Sequence, residues 1–285
     1  MQEISQDILI ETSFTGTTLG AINAPHGLIL IDAPLKADDT RLWRSTLLNL
    51  GGGVDRLLIN LDAHPDRTLG ARTMECTVVG HEKMAQVFRN RPNTFKAQNS
   101  ETGSEWEQVS NLGSIRWNPP EISFTDTLNI YWGSKPIVLE TRPGPNTGSI
   151  WVVIPEDKVI FFGDLVVNNQ PPFLSYASLD DWIDNLQLLL TPPYREYFFV
   201  GGRNGLITYE DIRRQLTFIQ EVKDRVEYLK KRPDTSSEID KMVPELLKSF
   251  VISSEKTTQY TQRLRWGLNH LYPRSYRASS IESEE

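Results

Sequence analysis

The 285-residue chain carries 30 Lys and Arg against 37 Asp and Glu, a formal net charge of −7, and a single cysteine. This acidic balance argues against a nucleic-acid partner, because phosphate backbones are bound by basic surfaces. The single cysteine excludes an intramolecular disulfide, the N-terminal residues lack the blocks of a signal peptide, and no apolar run approaches the roughly 20 residues that cross a bilayer, so we expect a cytoplasmic protein without a membrane partner.

Short apolar runs alternate with helical patterns in the first half of the chain, as is typical of a layered α/β fold. The predicted strands are Thr17–Ile22, Leu28–Asp32, Arg56–Asn60 and Cys76–Val79, and the predicted helices are Asp38–Leu50 and Glu82–Asn90. The segment Arg91–Glu121 then loses periodicity and fills with polar residues, Pro and Gly. A segment of this length is either a lid over a site or an ordinary packed excursion, and composition does not decide between them.

Strands resume in the second half and give way to helices. The predicted strands are Leu128–Trp132, Ile137–Thr141, Trp151–Ile154, Val159–Phe162 and Tyr197–Val200. Ser178 is expected to cap a helix with its hydroxyl, and apolar residues from Ile212 to Leu229 recur at helical spacing. Pro244 is expected to open a further helix, Glu255–His270 to form the last one, and the polar tail Ser279–Glu285 to be disordered.

One apolar run ends in a cluster of charged and metal-capable side chains. Leu58-Ile59-Asn60-Leu61 has the pattern of a buried strand and leads directly into Asp62-Ala63-His64-Pro65-Asp66-Arg67. The cluster resembles the signature His-x-His-x-Asp-His of the metallo-β-lactamase superfamily, with Asp62 in the place of the first histidine and Arg67 in the place of the last. Arginine offers a metal no lone pair, because it is not deprotonated in proteins.

The resemblance extends over roughly residues 15–205. Leu28–Asp32 is similar to the early family strand that ends in aspartate, and Arg142–Ser149 is similar to the Pro-Gly-His-Thr loop with Pro145 in place of histidine. Lys158–Asp164 matches the strand that ends in Gly-Asp, and Phe199–Gly205 resembles the last histidine loop with Arg203 at the histidine position.

The resemblance implies an α/β fold, a four-layer αββα metallo-β-lactamase-type sandwich with a helical C-terminal extension. We expect the sandwich in residues 1–205, the extension packed on it in residues 206–278, and the disordered tail in residues 279–285.

The resemblance also implies where metal ions would bind. Its first metal position would keep Asp62, His64 and Asp164, while its second would keep Asp66 and Asp164 but gain Arg67 and Arg203. Four of the five histidine positions are changed. The other histidines, His26, His81 and His270, lie outside the motifs and are interpreted as structural.

The charges of the nearby side chains lead to different expectations for the two metal positions. Converging carboxylates repel by about 4 kcal/mol per pair at about 4 Å with an effective dielectric of about 20. Arg67 and Arg203 can neutralise them, so we expect a salt-bridged second position without metal. The first position remains open between one Fe, Mn or Zn ion and a structural His64.

Three hypotheses for the function follow. The preferred one is a diverged member that has lost two-metal hydrolysis, a pseudoenzyme with a degenerate site. An alternative is a mononuclear metal-dependent hydrolase of an ester, lactone or thioester, in which Asp66 orients water and Arg67 and Arg203 contact an anionic small molecule. A third is a protein-interaction module that uses the old cleft or the terminal helices. The sequence does not reveal the substrate or the oligomeric state.

Overall fold

Alternating apolar side chains along the central strands decide how the layers pack. In the strand Ile150–Ile154, the side chains of Ile150, Val152 and Ile154 join the core between two sheets, while those of Trp151 and Val153 join the core under the C-terminal helices. This alternation is the period of two that a strand imposes. Both faces are therefore covered, as expected for an inner layer.

The computed structural model describes residues 1–51, 53–96, 102–110, 112–113, 115–229 and 235–282, and the side chains at 235 and 273–282 lie outside that description. Within these residues the N-terminal sheet has seven strands in chain order. They are β1 (Gln2–Ser5), β2 (Ile8–Glu11), β3 (Leu19–Ala24), β4 (Gly27–Ile31), β5 (Asp55–Ile59), β6 (Thr77–His81) and β7 (Ile122–Phe124). Strands β4 to β7 pair in parallel.

The C-terminal sheet has six strands in the described residues, and their order is reversed, from β13 to β8. They are β8 (Thr127–Ile130), β9 (Ile137–Thr141), β10 (Ile150–Ile154), β11 (Val159–Phe161), β12 (Phe198–Gly201) and β13 (Gly205–Ile207). Only β11 and β12 pair in parallel within the described part of this sheet. Because parallel strands end at the same edge, residues that follow β11 and β12 come together.

Helices cover both outer faces and complete an αββα arrangement. The helices of the described residues are α1 (Ala37–Leu47), α2 (Pro65–Thr68), α3 (Glu82–Asn90), α4 (Leu179–Leu189), α5 (Tyr209–Leu229), α6 (Thr235–Leu247) and α7 (Ser254–Glu282), with short 3-10 turns at Ala71–Met74, Glu105–Gln108, Gly163–Leu165 and Pro192–Tyr194. Trp43 of α1 packs on the outer face of the N-terminal sheet. Helices α4 to α7 pack on the C-terminal sheet, so the fold prediction is confirmed.

Three local expectations need correction. Pro244 lies inside α6 instead of opening a helix, because burial of Ile239, Val243 and Leu246 outweighs the lost backbone hydrogen bond. Ser178 is the residue before α4, but its hydroxyl makes no capping hydrogen bond. Strands β1, β2, β7 and β13 were not predicted, since three or four residues carry too little periodic signal.

The C-terminal boundary of the extension stays a prediction. Helix α7 continues to Glu282, well beyond the expected end at His270, and so reaches into the tail for which disorder is predicted. Residues 283–285 lie outside the described residues. No helix in the described part of the chain combines the length and apolar character that crossing a bilayer requires.

The described parts of the segment 91–121 pack against the body of the protein. Phe95, Trp106 and Trp117 share a buried cluster with Met84 and Phe88 of α3. The rings of Phe95 and Trp106 meet edge to face, with centroids 5.0 Å apart. These described parts therefore form a packed wall beside the strand ends where the charged motifs lie.

Candidate functional site

The carboxyl ends of parallel strands in the two sheets bring the charged motifs together. Asp32 follows β4, Asp62 follows β5, Asp164 follows β11 and Arg203 follows β12. Arg67 reaches the same place from the short helix α2. All five side chains are buried, so their charges must be balanced by one another.

Arg67 is the centre of this cluster. Its guanidinium donates to Oδ2 of Asp32 at 3.2 Å and makes a short hydrogen bond with Oδ1 of Asp164. Its Nε lies 3.2 Å from Oδ1 of Asp62, close enough for charge attraction although without hydrogen-bond geometry. One fully buried cation (0% exposed) therefore faces three carboxylates.

The backbone leaves room for this guanidinium. A Cβ atom at Gly202 would lie 2.6 Å from Nη1 of Arg67, and a Cβ atom at Gly163 would lie 3.2 Å from the same nitrogen. Both glycines belong to the motifs that carry the family resemblance. The Arg67 side chain thus occupies space that the strand ends keep free of other side chains.

Arg203 forms the second half of the cluster. Its Nε lies 3.1 Å from both carboxylate oxygens of Asp164, and its Nη1 donates to Oδ2 of Asp66 at 2.9 Å. Asp66 also accepts the backbone N–H of Trp106 at 2.9 Å. Asp164 is therefore shared by two guanidinium groups, at the position where the resemblance implies a carboxylate shared by two metals.

His64 is held in one tautomer. Its Nδ1 accepts the backbone N–H of Asp66 at 3.2 Å and lies 3.4 Å from Nη2 of Arg203, which can only donate. A proton on Nδ1 would face two donors, so the neutral ring carries its proton on Nε2. Burial, together with the charge of Arg203, lowers the pKa of His64 to about 4 and keeps the ring neutral.

Burial and neighbouring charges shift the pKa values of the buried carboxyl groups in opposite directions. Burial raises the pKa of Asp32 to about 7, although Arg67 opposes that rise. Burial has the same tendency at Asp164, but Arg203 and Arg67 outweigh it and hold the pKa of that carboxyl well below its usual range. Asp164 therefore stays ionised between the two arginines.

The residues present do not fit a metal centre of the kind the resemblance implies. A ligating histidine must offer a lone pair, but Nδ1 of His64 already accepts hydrogen bonds and Nε2 carries the proton. Asp62 and Asp164 already contact the Arg67 guanidinium. Among the described residues, no group of three or more His, Cys, Asp or Glu side chains is arranged to hold a metal ion.

The C-terminal helix reaches this cluster through the loop around Glu105. The backbone N–H groups of Glu105 and Trp106 both donate to Asp66. Glu105 in turn accepts from Arg263 of α7 at 3.2 Å and from Gln259 at 3.0 Å. Helix α7 therefore holds the loop that covers Asp66.

The aromatic side chain of Phe173 contacts both the charged cluster and helix α7. Phe173 lies under the guanidinium of Arg203, 4.7 Å from ring centre to Cζ, and under that of Arg263 at 4.1 Å. Its ring is also 4.6 Å from that of His64. These contacts place two cations on one aromatic side chain at the edge of the site.

A cavity of about 600 Å³ opens beside the cluster. His64 and Asp164 form its floor, and its walls come from α3, the described parts of the segment 91–121, the Pro145 loop and α7. Arg67 and Arg203 are not part of the described lining. The two arginines therefore contact Asp164, which lines the cavity, but do not line the cavity themselves.

The structure brings together all six residues named from the sequence, namely Asp62, His64, Asp66, Arg67, Asp164 and Arg203. Their assignment as metal ligands or catalytic groups stays a prediction. Sequence reasoning left Asp32 out of the site, although its position after an apolar run is the same signal that marked Asp164. Phe173, Glu105 and Arg263 carry no local signal, because their roles depend on long-range packing.

Comparison with known proteins agrees with the fold. The family model of the metallo-beta-lactamase superfamily matches residues 67–201. A metallo-beta-lactamase family protein from Thermus thermophilus is 18% identical and superposes with a TM-score of 0.66 over 97% of this chain and 95% of its own. A metallo-beta-lactamase from Pontibacter korlensis is also 18% identical, with a TM-score of 0.57 over 77% of this chain and 97% of its own.

A larger neighbour shows the same fold. The inverting sec-alkylsulfatase Pisa1 from Pseudomonas sp. is 13% identical, with a TM-score of 0.67 over 95% of this chain and 49% of its own. No curated protein is significantly similar in sequence. The architecture is that of an αββα protein of metallo-β-lactamase type, and residues 67–201 are similar to the metallo-beta-lactamase superfamily.

Proposed function

We propose that this protein is a metal-free member of the superfamily that has lost two-metal hydrolysis and binds a small molecule in the cavity beside His64. The observation that carries the proposal is the position of Arg67, fully buried against Asp32, Asp62 and Asp164. A dication placed among the same carboxylates would lie beside two fixed positive charges. The guanidinium groups give the neutralisation without an ion.

The state of His64 supports the same conclusion for the first metal position. A mononuclear hydrolase built on Asp62, His64 and Asp164 would need the imidazole as a ligand. Its Nδ1 is engaged, and turning the ring to free that atom would lose the hydrogen bond that caps α2. The contacts of His64 therefore favour a structural role over ligation.

Metal content tests the proposal. Protein purified without chelator and dialysed against zinc, iron(II) or manganese(II) should retain well under one ion per chain by elemental analysis. Stoichiometric metal that disappears in His64→Ala would instead support the mononuclear hydrolase. His270→Ala is the matched control, because His270 lies on the exposed side of α7, away from the cluster.

A further inference from the structure

The cavity carries positive charge that is separate from Arg67 and Arg203. Lys83, Arg91 and Lys96 line it, and within the described residues none of the three has a carboxylate at ion-pair distance. Asp164, the acidic residue in the described lining, is already paired with both buried arginines. The cavity is therefore electropositive although the whole chain carries a net charge of −7.

Arg91 is the best placed of these cations. It follows α3 directly, is half-buried, and donates from Nη1 to the carbonyl of Ala63 at 3.1 Å. Its guanidinium lies 4.7 Å from the ring centre of Trp117 and 5.3 Å from that of Phe88. Aromatic faces, one carbonyl and the charge of Asp62, which is beyond ion-pair distance, only partly balance this half-buried cation, so an incoming anion would complete the balance.

Aromatic and other apolar side chains make up much of the rest of the lining, beside several uncharged polar ones. Phe95, Trp106 and Trp117 come from the segment 91–121, and Phe173 and Trp266 close the other side. Trp266 belongs to α7 and stacks on His270 with ring centres 4.0 Å apart. A volume of about 600 Å³ is within the usual range for small-molecule sites, roughly 300–1,000 Å³.

We propose that the cavity binds an amphipathic organic anion, with its charged group at Arg91 and its apolar body between the tryptophan side chains. This inference rests on the proposed function, because it takes the cavity to be a ligand site of a metal-free protein. The exposed Lys83 and Lys96 at the rim add to the attraction for the anion. The limited volume and the acidic outer surface exclude a large polyanion.

The test uses anilinonaphthalene sulfonate as the probe and phenylnaphthylamine, the same aromatic body without the sulfonate, as its neutral counterpart. Fluorescence titrations are run in the presence of EDTA on the full chain. We expect the sulfonate to bind more tightly than the neutral probe and to weaken as salt is added. Arg91→Gln should weaken sulfonate binding about tenfold and leave the neutral probe nearly unchanged.

Two variants control for charge and position. Arg91→Lys keeps a cation and should recover most of the sulfonate affinity. Arg89→Gln removes an exposed arginine two residues away that pairs with Glu82, and it should not change either affinity. Trp266→Ala should weaken both probes, because it removes apolar wall and leaves Arg91 in place. Circular dichroism verifies that each variant is folded.

Equal affinity for the two probes, or unchanged sulfonate affinity in folded Arg91→Gln, would overturn the proposal. If Arg91→Gln does not fold, the wild-type comparison of the two probes decides alone. The result is independent of the metal test. A protein that holds zinc yet binds the sulfonate through Arg91 would overturn only the proposed function, whereas a metal-free protein that binds neither probe would overturn only this inference.

Discussion

Arg67 and Asp164 are 97 residues apart in the sequence, yet their side chains form a direct buried ion pair. Arg67 comes from the N-terminal half of the sandwich and Asp164 from the C-terminal half, so the pair joins the two sheets at their shared edge. Arg203 contacts the other side of the same carboxylate. Two guanidinium groups therefore connect the two sheets at the place where the motifs converge.

Removal of Arg67 should be strongly destabilising. Arg67→Ala would leave Asp32, Asp62 and Asp164 buried without their common cation, and breaking a buried ion pair in this way costs about 3–5 kcal/mol. Urea denaturation measures the change in the free energy of unfolding. Arg213→Ala is the control, because Arg213 is exposed and only loosely paired with Glu210 at 3.9 Å. Equal stability of the two variants would contradict the role of Arg67.

Arg67→Lys should recover only part of the stability. A lysine keeps the charge, but its single ammonium group cannot contact three separated carboxylates as the guanidinium fork does. Under the same denaturation conditions we expect an unfolding free energy between those of wild type and Arg67→Ala. Full recovery would mean that net charge alone, and not the guanidinium geometry, stabilises the cluster.

His64 should make the stability depend on pH. Its pKa is about 4 in the folded protein, below the ordinary value of 6.5, so the neutral ring is favoured by folding. This contribution is fully present above pH 6.5 and is lost as pH falls towards 4. Since one unit of pKa corresponds to about 1.4 kcal/mol, the loss should exceed that amount.

His64→Asn provides the comparison. Asparagine can still accept the hydrogen bond that caps α2 but does not titrate. Asp32, whose raised pKa of about 7 makes folding less favourable as pH rises from 4 to 7, is present in both proteins and therefore cancels in the difference. Denaturation of both proteins across this pH range measures the effect of His64. Parallel pH profiles would show that the ring is not held neutral.

Arg263 should control the order of the loop around Glu105. Arg263→Gln removes the contact with Glu105 and the hydrogen bonds to the carbonyl of Gly103. We expect faster hydrogen exchange at the amides of Glu105 and Trp106, with little change in the sheets. Arg265→Gln is the matched control on the same helix, because Arg265 is exposed and pairs with Asp240. Equal exchange rates in the two variants would show that the Arg263 contacts of α7 do not order the loop.

The layered architecture and the residues of the charged cluster could be predicted from the sequence. Apolar runs that end in Asp62, Asp164 and Arg203 identify strand ends, and the family resemblance places those ends side by side. It was not sufficient for Asp32, whose role depends on a contact with Arg67 across 35 residues. Nor could it assign the tautomer of His64, which is determined by Arg203, 139 residues away.

The cavity and its lining could not be predicted from the sequence either. Trp106 and Trp117 stood out in a segment without periodicity, but nothing in that pattern indicated that Arg91 would lie over Trp117 or that Trp266 of α7 would form the opposite wall. Long-range packing decides such contacts. An anionic small molecule was expected at Arg67 and Arg203, but those side chains lie outside the described lining of the cavity, so our proposal moves the anion to Arg91.

Anomalous scattering at the zinc absorption edge, from crystals grown with excess zinc, tests the central claim most directly. The guanidinium groups of Arg67 and Arg203 should occupy the space beside Asp66 and Asp164, with no anomalous peak there. Two fully occupied zinc ions between those carboxylates, with both arginine side chains displaced, would contradict the account.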